Sequence, residues 1–296
     1  MKHICRLFII TLSFCFYVAS AVGQTVDIPD SNLRAEIEAA LGKASGATIT
    51  IADMVTLPQF NFGLNVNFGF GLNADTSNLT VSNLTGLEHA INLTGRGLVI
   101  DNISHLSRFG NLDSLEWLFL WGNNIRDLSG LWNRDSLEWL FLGDNNISNL
   151  TTLGSLDNLT GLHLGTNNIR DLSGLWNRDS LEWLFLGNNN ISNLTTLGSL
   201  DNLTGLHLGT NNIRDLSGLW NRDSLEWLFL GNNNISNLTT LGSLDNLTGL
   251  HLGTNNIRDL SGLWNRDSLE WLFLGDNNIS NLTTLGSLDN LTGLHL

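Results

Sequence analysis

A leucine that recurs every 22 residues constrains this chain more than any other feature. The series begins at Leu93 and gives nine full units and a fragment. Its later members are Leu115, Leu137, Leu159, Leu181, Leu203, Leu225, Leu247, Leu269 and Leu291. A period of about 20 to 50 residues indicates stacked repeats, because one such unit is too short to bury its own apolar face. We therefore expect an elongated molecule with one continuous core.

Each unit carries the same internal pattern, LxxLxLxxNxIxxLxxL. In the unit that starts at Leu115 its residues are Leu115, Leu118, Leu120, Asn123, Ile125, Leu128 and Leu131. The LxL pair alternates like one face of a short strand. Asn123 stands at a turn, where its side chain can bond backbone groups that the bend leaves unpaired. Over about two thirds of the chain, the pattern resembles the leucine-rich repeat in its 22-residue, internalin-like bacterial form.

The resemblance implies an α/β fold: a right-handed leucine-rich repeat solenoid with a parallel concave β-sheet and short 3-10 or irregular convex segments, preceded by a small helical cap. We expect residues 24–75 to form the amino-terminal cap and an irregular first rung, and residues 76–296 to form the solenoid. Asp30 or Ser31 can cap a helix that stops at Gly42.

After this helix, residues 47–51 look like a strand and residues 52–54 like a short turn. A separate small domain is the alternative to a cap. Residues 59–75 alternate large apolar residues with Asn and Gly, and we assign them no structure.

Residues 1–23 have the three parts of a secretory signal peptide: cationic Lys2 and Arg6, an apolar run and then small residues. We expect its removal, which takes away both cysteines, Cys5 and Cys15. The alternatives are a retained membrane anchor, for which the apolar run is short, and lipidation at Cys15.

A 44-residue period lies over the 22-residue one. Residues 136–179, 180–223 and 224–267 are copies that differ at one position, Asp144 in the first copy. This near-identity indicates recent tandem duplication. The chain stops at Leu296 on an expected strand, which would leave an open strand edge. We expect either a truncated carboxyl end, self-association through that edge, or a further downstream domain.

Aromatic residues occupy the strand positions that face outward from the expected concave sheet. Trp alternates with Gly in one column along the sheet, and Phe alternates with His in the next. We predict that this face binds a ligand, with Trp183 and Trp227 as the walls of a slot over Gly205. The predicted binding residues are Trp117, Phe119, Trp139, Phe141, His163, Trp183, Phe185, His207, Trp227, Phe229, His251, Trp271 and Phe273. Alternatively, the rings lie flat on neighbouring glycines and only cover the sheet.

The histidines of this face do not predict a metal site. His163, His207, His251 and His295 are two rungs, about 9.6 Å, apart, whereas the ligands of one zinc ion each lie about 2 Å from it. Protonation of these histidines in mildly acidic solution would add positive charge to the face. We predict no cofactor and no catalytic residue, and Glu138 at the strand start has no acid partner in the motif.

Four tryptophans follow the strands on the return path, in the string LWNRD, and we predict that they fill the convex side of the core. They are Trp132, Trp176, Trp220 and Trp264.

The charge of the chain restricts its partners. Fourteen basic residues against 28 acidic ones give a formal charge of -14, which disfavours nucleic acid and anionic lipid. The resemblance implies a secreted or cell-surface module that binds a protein through its concave face. Two alternatives stay open: a carbohydrate-binding module that uses Trp and Phe stacking, and a structural, self-assembling repeat array. We expect no enzyme activity and no membrane insertion of the mature chain.

Overall fold

The computed structural model describes residues 23–57, 83, 85–90, 106, 113–132 and 134–296, together with the backbone of 98–99. The predicted signal peptide, apart from Gly23, and residues 59–75 lie outside the described residues. Among the helices of the described ranges, none is long and apolar enough to cross a membrane.

The described chain begins with helix α1, Ser31–Ala40, whose amino-terminal cap is Asp30. The Asp30 carboxylate accepts hydrogen bonds from the backbone N–H groups of Asn32 and Leu33, each at 3.0 Å. These bonds satisfy donors that a helix start otherwise leaves unpaired. Gly42 follows the helix with a φ of 63°, a left-handed conformation that glycine adopts without a Cβ clash. The helix predicted between Asp30 and Gly42 is confirmed.

Helix α2, Ile51–Val55, replaces the turn expected at residues 52–54 and the last residue of the strand expected at residues 47–51. The Thr50 hydroxyl accepts from the Asp53 N–H at 3.2 Å, and the Asp53 carboxylate accepts from the Thr50 N–H at 2.7 Å. This reciprocal capping box starts a helix. Among the described residues here, strand pairing is limited to one antiparallel bridge between Thr25 and Thr50. Met54 of α2 is fully buried in the core.

Ten parallel strands form one sheet in chain order, β1 to β10. They are β1 Leu98–Val99, β2 Trp117–Phe119, β3 Trp139–Phe141, β4 Gly161–His163, β5 Trp183–Phe185, β6 Gly205–His207, β7 Trp227–Phe229, β8 Gly249–His251, β9 Trp271–Phe273 and β10 Gly293–His295. From β2 onward, paired residues lie one 22-residue unit apart, as Leu140 pairs with Leu162. The predicted leucine-rich repeat solenoid with a parallel sheet is confirmed.

The repeated asparagine holds the turn after each strand. The side-chain amide of Asn145 donates to the carbonyl oxygens of Leu120 and Leu142 at 2.8 and 3.0 Å, and its oxygen accepts from the Ile125 N–H at 2.9 Å. A buried backbone group without a partner costs about 1 to 3 kcal/mol, so this side chain stabilises two rungs at once. The role predicted for the repeat asparagine is confirmed. Equivalent bonds recur at Asn167, Asn189, Asn211, Asn233 and Asn255.

Short 3-10 helices form the return path, as predicted. Three-residue helices, Ser129–Leu131, Ser173–Leu175, Ser217–Leu219 and Ser261–Leu263, alternate with five-residue helices, Thr151–Ser155, Thr195–Ser199, Thr239–Ser243 and Thr283–Ser287. A further 3-10 helix, Leu87–His89, precedes the sheet.

The prediction that the return-path tryptophans fill the core is wrong. Trp132, Trp176, Trp220 and Trp264 are 54%, 56%, 54% and 52% exposed. The core position is already taken by the preceding leucine, such as Leu175, which is 1% exposed. One residue of a 3-10 helix corresponds to about a third of a turn, so the side chain that follows the buried leucine faces solvent.

Candidate binding face

The outward side chains of β2 to β10 form one surface, which we call the aromatic face. Side chains alternate across a strand, so Leu140 enters the core while Trp139 and Phe141 lie on the other side of the sheet. Every predicted binding residue lies on this face, in strands β2 to β9.

Phe and His side chains stack on one another along the face. The rings of Phe119 and Phe141 are nearly parallel, at 4°, with centroids 4.2 Å apart, and His163 stacks on Phe185 at 5.3 Å. Two further pairs, His207–Phe229 and His251–Phe273, stack at 5.5 and 5.4 Å. These rings therefore shield one another from solvent in pairs along the face.

The slot predicted over Gly205 is filled. A Cβ atom added to Gly205 would lie 2.2 Å from Cε3 of Trp183, so the indole of Trp183 covers this glycine. An apolar ring gains by packing on backbone where no Cβ obstructs it, and the space between Trp183 and Trp227 is lost. The alternative, in which rings lie on neighbouring glycines, describes this column. Gly161, Gly249 and Gly293 are covered by Trp139, Trp227 and Trp271 in the same way.

The histidines are packed in this layer rather than freely solvated. The imidazole of His207 lies over Gly187, where an added Cβ would be 2.6 Å from the ring. Burial, together with a smaller contribution from the nearby His207, lowers the pKa of His163 from 6.5 to about 4. Burial also lowers the pKa values of His207 and His251. His163 therefore stays neutral in mildly acidic solution. Across the described residues, no group of three His, Cys, Asp or Glu side chains is placed to hold a metal ion.

A concavity of about 750 Å³ opens on the aromatic face between β2 and β7. Its lining residues are Trp117, Trp121, Trp139, Phe141, His163, Gly165, Thr166, Trp183, Phe185, Gly187, Asn188, His207 and Phe229. The structure thus brings most of the predicted binding residues together around one opening. The predicted residues Phe119, Trp227, His251, Trp271 and Phe273 lie outside it.

Trp121 is the main lining residue that the sequence reasoning missed. It is 39% exposed, and its ring centroid lies 4.4 Å from that of His163. In the next rung, the same position is Gly143. An aromatic residue that replaces glycine at an outward position was therefore a signal available in the sequence. Thr166 and Asn188 were missed because they follow the strands, in the turns.

Comparison with known proteins shows which solved structures this chain resembles. No protein-family model matches the chain, and no curated protein matches it. An internalin from Listeria monocytogenes has a solved structure that is 30% identical, with a TM-score of 0.81, over 91% of this chain and 76% of that one. Internalin C2 from Listeria monocytogenes is 25% identical, with a TM-score of 0.53, over 93% of this chain and 98% of that one.

A third solved structure, a complex of TLR13 with ssRNA13, is 26% identical, with a TM-score of 0.59, over 73% of this chain and 34% of that one. The likeness to the first internalin extends over most of both chains and includes the 22-residue rungs. The chain therefore belongs to the internalin family of leucine-rich repeat proteins.

Proposed function

We propose that this chain is a secreted or cell-surface module that binds a protein ligand on its aromatic face. The observation that carries the proposal is the aromatic concavity of about 750 Å³. Large apolar patches are uncommon on soluble proteins and mark interaction sites, and Trp and other aromatic anchors supply much of the binding energy at protein interfaces.

The packing of the face favours a protein over a sugar at this place. Sugar rings bind by lying on exposed faces of aromatic rings, but Phe119 and Phe141 stack face to face, and His163 stacks on Phe185. What remains accessible is a shaped apolar surface, which suits inserted side chains of a partner. A row of exposed glutamates borders it at the strand starts: Glu116, Glu138, Glu182, Glu226 and Glu270. The partner that we propose therefore has a basic rim around an apolar centre.

The same acidic border argues against RNA. TLR13 is solved with ssRNA13, but phosphate backbones are bound mainly by Lys and Arg. This chain has a formal charge of -14, so a polyanion would be repelled.

A protein array and a glycan array test the proposal. The purified chain is applied to an array of extracellular proteins and, in parallel, to a glycan array, and each hit is measured again with the double variant Trp139→Ala and Trp183→Ala. We expect a protein hit whose binding weakens by more than about 2 kcal/mol, the scale of an interface hot spot. Higher salt should slow its association, because the charged rim steers it.

Trp220→Ala is the matched control, since this tryptophan is exposed on the return path. It should leave the protein hit unchanged. Unaltered affinity in the folded double variant would reject the aromatic face as the binding site. Blank arrays, together with light scattering that grows with concentration, would instead support a self-assembling array.

A further inference from the structure

The exposed tryptophans of the return path form a second aromatic surface, which we call the tryptophan row: Trp132, Trp176, Trp220 and Trp264. Each is more than half exposed. They occur in every second rung, and glycine takes the same position in the rungs between them, as Gly198 does between Trp176 and Trp220. This is an alternation of Trp and Gly on the side of the molecule opposite the aromatic face.

Unlike the glycines of the aromatic face, the glycines of this row are not covered by the neighbouring indoles. A Cβ atom added to Gly198 would meet only the carbonyl oxygen of Gly218, at 3.6 Å, and one added to Gly154 would meet only that of Gly174, at 3.8 Å. The space between successive indoles is therefore open. The indoles stand in single file rather than in one packed patch.

Polar bonds hold the turns of Trp176, Trp220 and Trp264 to both neighbouring rungs. Towards the preceding rung, Nη1 of Arg178 donates to the Asp157 carboxylate at 2.5 Å, while its Nε donates to the Trp176 carbonyl oxygen at 3.3 Å. Towards the following rung, the N–H of Asn177 donates to the Ser199 hydroxyl at 3.0 Å. The spacing of the row is thus set before any ligand binds, which lowers the entropy cost of binding.

The apolar area and the charge of the tryptophan row indicate which class of ligand it can bind. Four half-exposed indoles offer on the order of 500 Å² of apolar surface, in separate pieces, whereas a stable protein interface buries about 800 Å² per partner around a continuous centre. The arginine that lies two residues after each tryptophan of the row is paired with an aspartate of the preceding rung, as in the Arg178–Asp157 pair. An uncharged, extended ligand fits such a row better than a folded protein or a polyanion.

We propose that the tryptophan row binds a neutral, β-1,4-linked polysaccharide. In such a chain each sugar is turned over relative to the previous one, so the same face returns at every second sugar. In the sheet, two rungs span about 10 Å, close to the length of that disaccharide repeat, and the indoles of the row recur at the same two-rung interval. Successive indoles can then stack on equivalent sugars, and the open glycine positions leave room for the sugars between them. Asp157, whose side chain is 76% exposed, lies beside the row as an acceptor for sugar hydroxyls.

Binding to defined polysaccharides tests this proposal. Depletion assays use cellulose and chitin as β-1,4-linked polymers and starch as an α-linked control, and calorimetry uses cellohexaose. We expect the protein to bind a β-1,4-linked probe and not starch. The double variant Trp176→Ala and Trp220→Ala should bind at least about tenfold more weakly, because each removed indole takes away a stacking platform. The double variant Trp176→Phe and Trp220→Phe should retain part of the affinity.

The control is Trp183→Ala on the aromatic face, which should leave polysaccharide binding unchanged. Circular dichroism and thermal unfolding verify that each variant is folded, and we expect little change because the row lies outside the core. Absence of binding to both cellulose and chitin would overturn the proposal, and so would equal binding by the alanine double variant. Phosphatidylcholine vesicles are a further probe. If the unaltered protein bound these vesicles and not the polysaccharides, and the alanine double variant lost vesicle binding, the row would be a membrane contact and the proposal would be overturned.

Discussion

Three threonines of the solenoid have a left-handed backbone. Thr166, Thr210 and Thr254 each have a φ of 56°, a conformation that β-branched residues rarely adopt. The equivalent residue in the alternate rungs is asparagine or aspartate, such as Asn232 with a φ of 57°, and both residue types tolerate this region well. Since Thr166 lines the concavity of the aromatic face, the strain lies beside the proposed binding site.

Exchanging threonine and asparagine at these left-handed positions tests whether the threonine backbone is strained. Thr210→Asn should raise the free energy of unfolding by about 1 kcal/mol, because the left-handed conformation costs threonine more than asparagine. Asn232→Thr is the matched reverse change and should lower it by a similar amount. Urea denaturation of both variants measures the effect. If Asn232→Thr unfolds at the same urea concentration as the unaltered protein, the strain is absent.

The buried His163 predicts a pH dependence of stability. Its pKa is about 4 in the folded chain, below its ordinary value of 6.5, so between these values the unfolded chain binds the proton more strongly. The free energy of unfolding should therefore fall as the pH falls from 6.5 to about 4, by up to about 1.4 kcal/mol per pH unit for this group.

The variant His163→Phe isolates this contribution. Phenylalanine occupies the same column at Phe185, and it cannot be protonated. Denaturation at several pH values should show a shallower slope for the variant than for the unaltered protein. Identical slopes would mean that His163 is protonated in the folded state as easily as in the unfolded one.

At the scale of a single strand, the inward leucines should dominate stability. Leu184 is fully buried in β5, so Leu184→Ala should cost about 2 to 5 kcal/mol through lost burial and a cavity. Trp220→Ala, on the exposed return path, should cost less than about 1 kcal/mol. Chemical denaturation compares the two. A larger loss for Trp220 than for Leu184 would contradict the assignment of inward and outward sides.

The 22-residue pattern was enough to predict the strands and the asparagine turns, and the resemblance to the leucine-rich repeat implied the 3-10 return path. Helix α2 was missed although Thr50 and Asp53 have the spacing of a capping box. Whether the Trp176 side chain is buried or exposed depends on the backbone rotation between Leu175 and Trp176, and the leucine spacing does not specify that rotation. The spacing also left two arrangements open at Gly205, a gap or a covering indole. Side-chain packing decides between them, since the rotamer of Trp183 depends on its neighbours.

For the molecule as a whole, the last rung is the most exposed part of the solenoid among the described residues. Leu282, Leu294 and Leu296 are 44%, 46% and 57% exposed, and β10 is an edge strand. Such an edge can pair with another chain, so a protein that ends at Leu296 should associate as its concentration rises. Sedimentation velocity measures this, and Leu294→Lys should reduce it. A single monomeric species at all concentrations would refute the expectation.

The 44-residue period means that the two aromatic surfaces can only lengthen together. One further copy inserted in register would add one indole to the tryptophan row and one His–Phe pair to the opposite face, at unchanged spacing. For a ligand with a matching repeat, each added copy raises valency, and linked contacts strengthen binding far more than separate ones do. Gain or loss of copies by unequal recombination would therefore tune avidity in whole steps, without any new contact having to evolve.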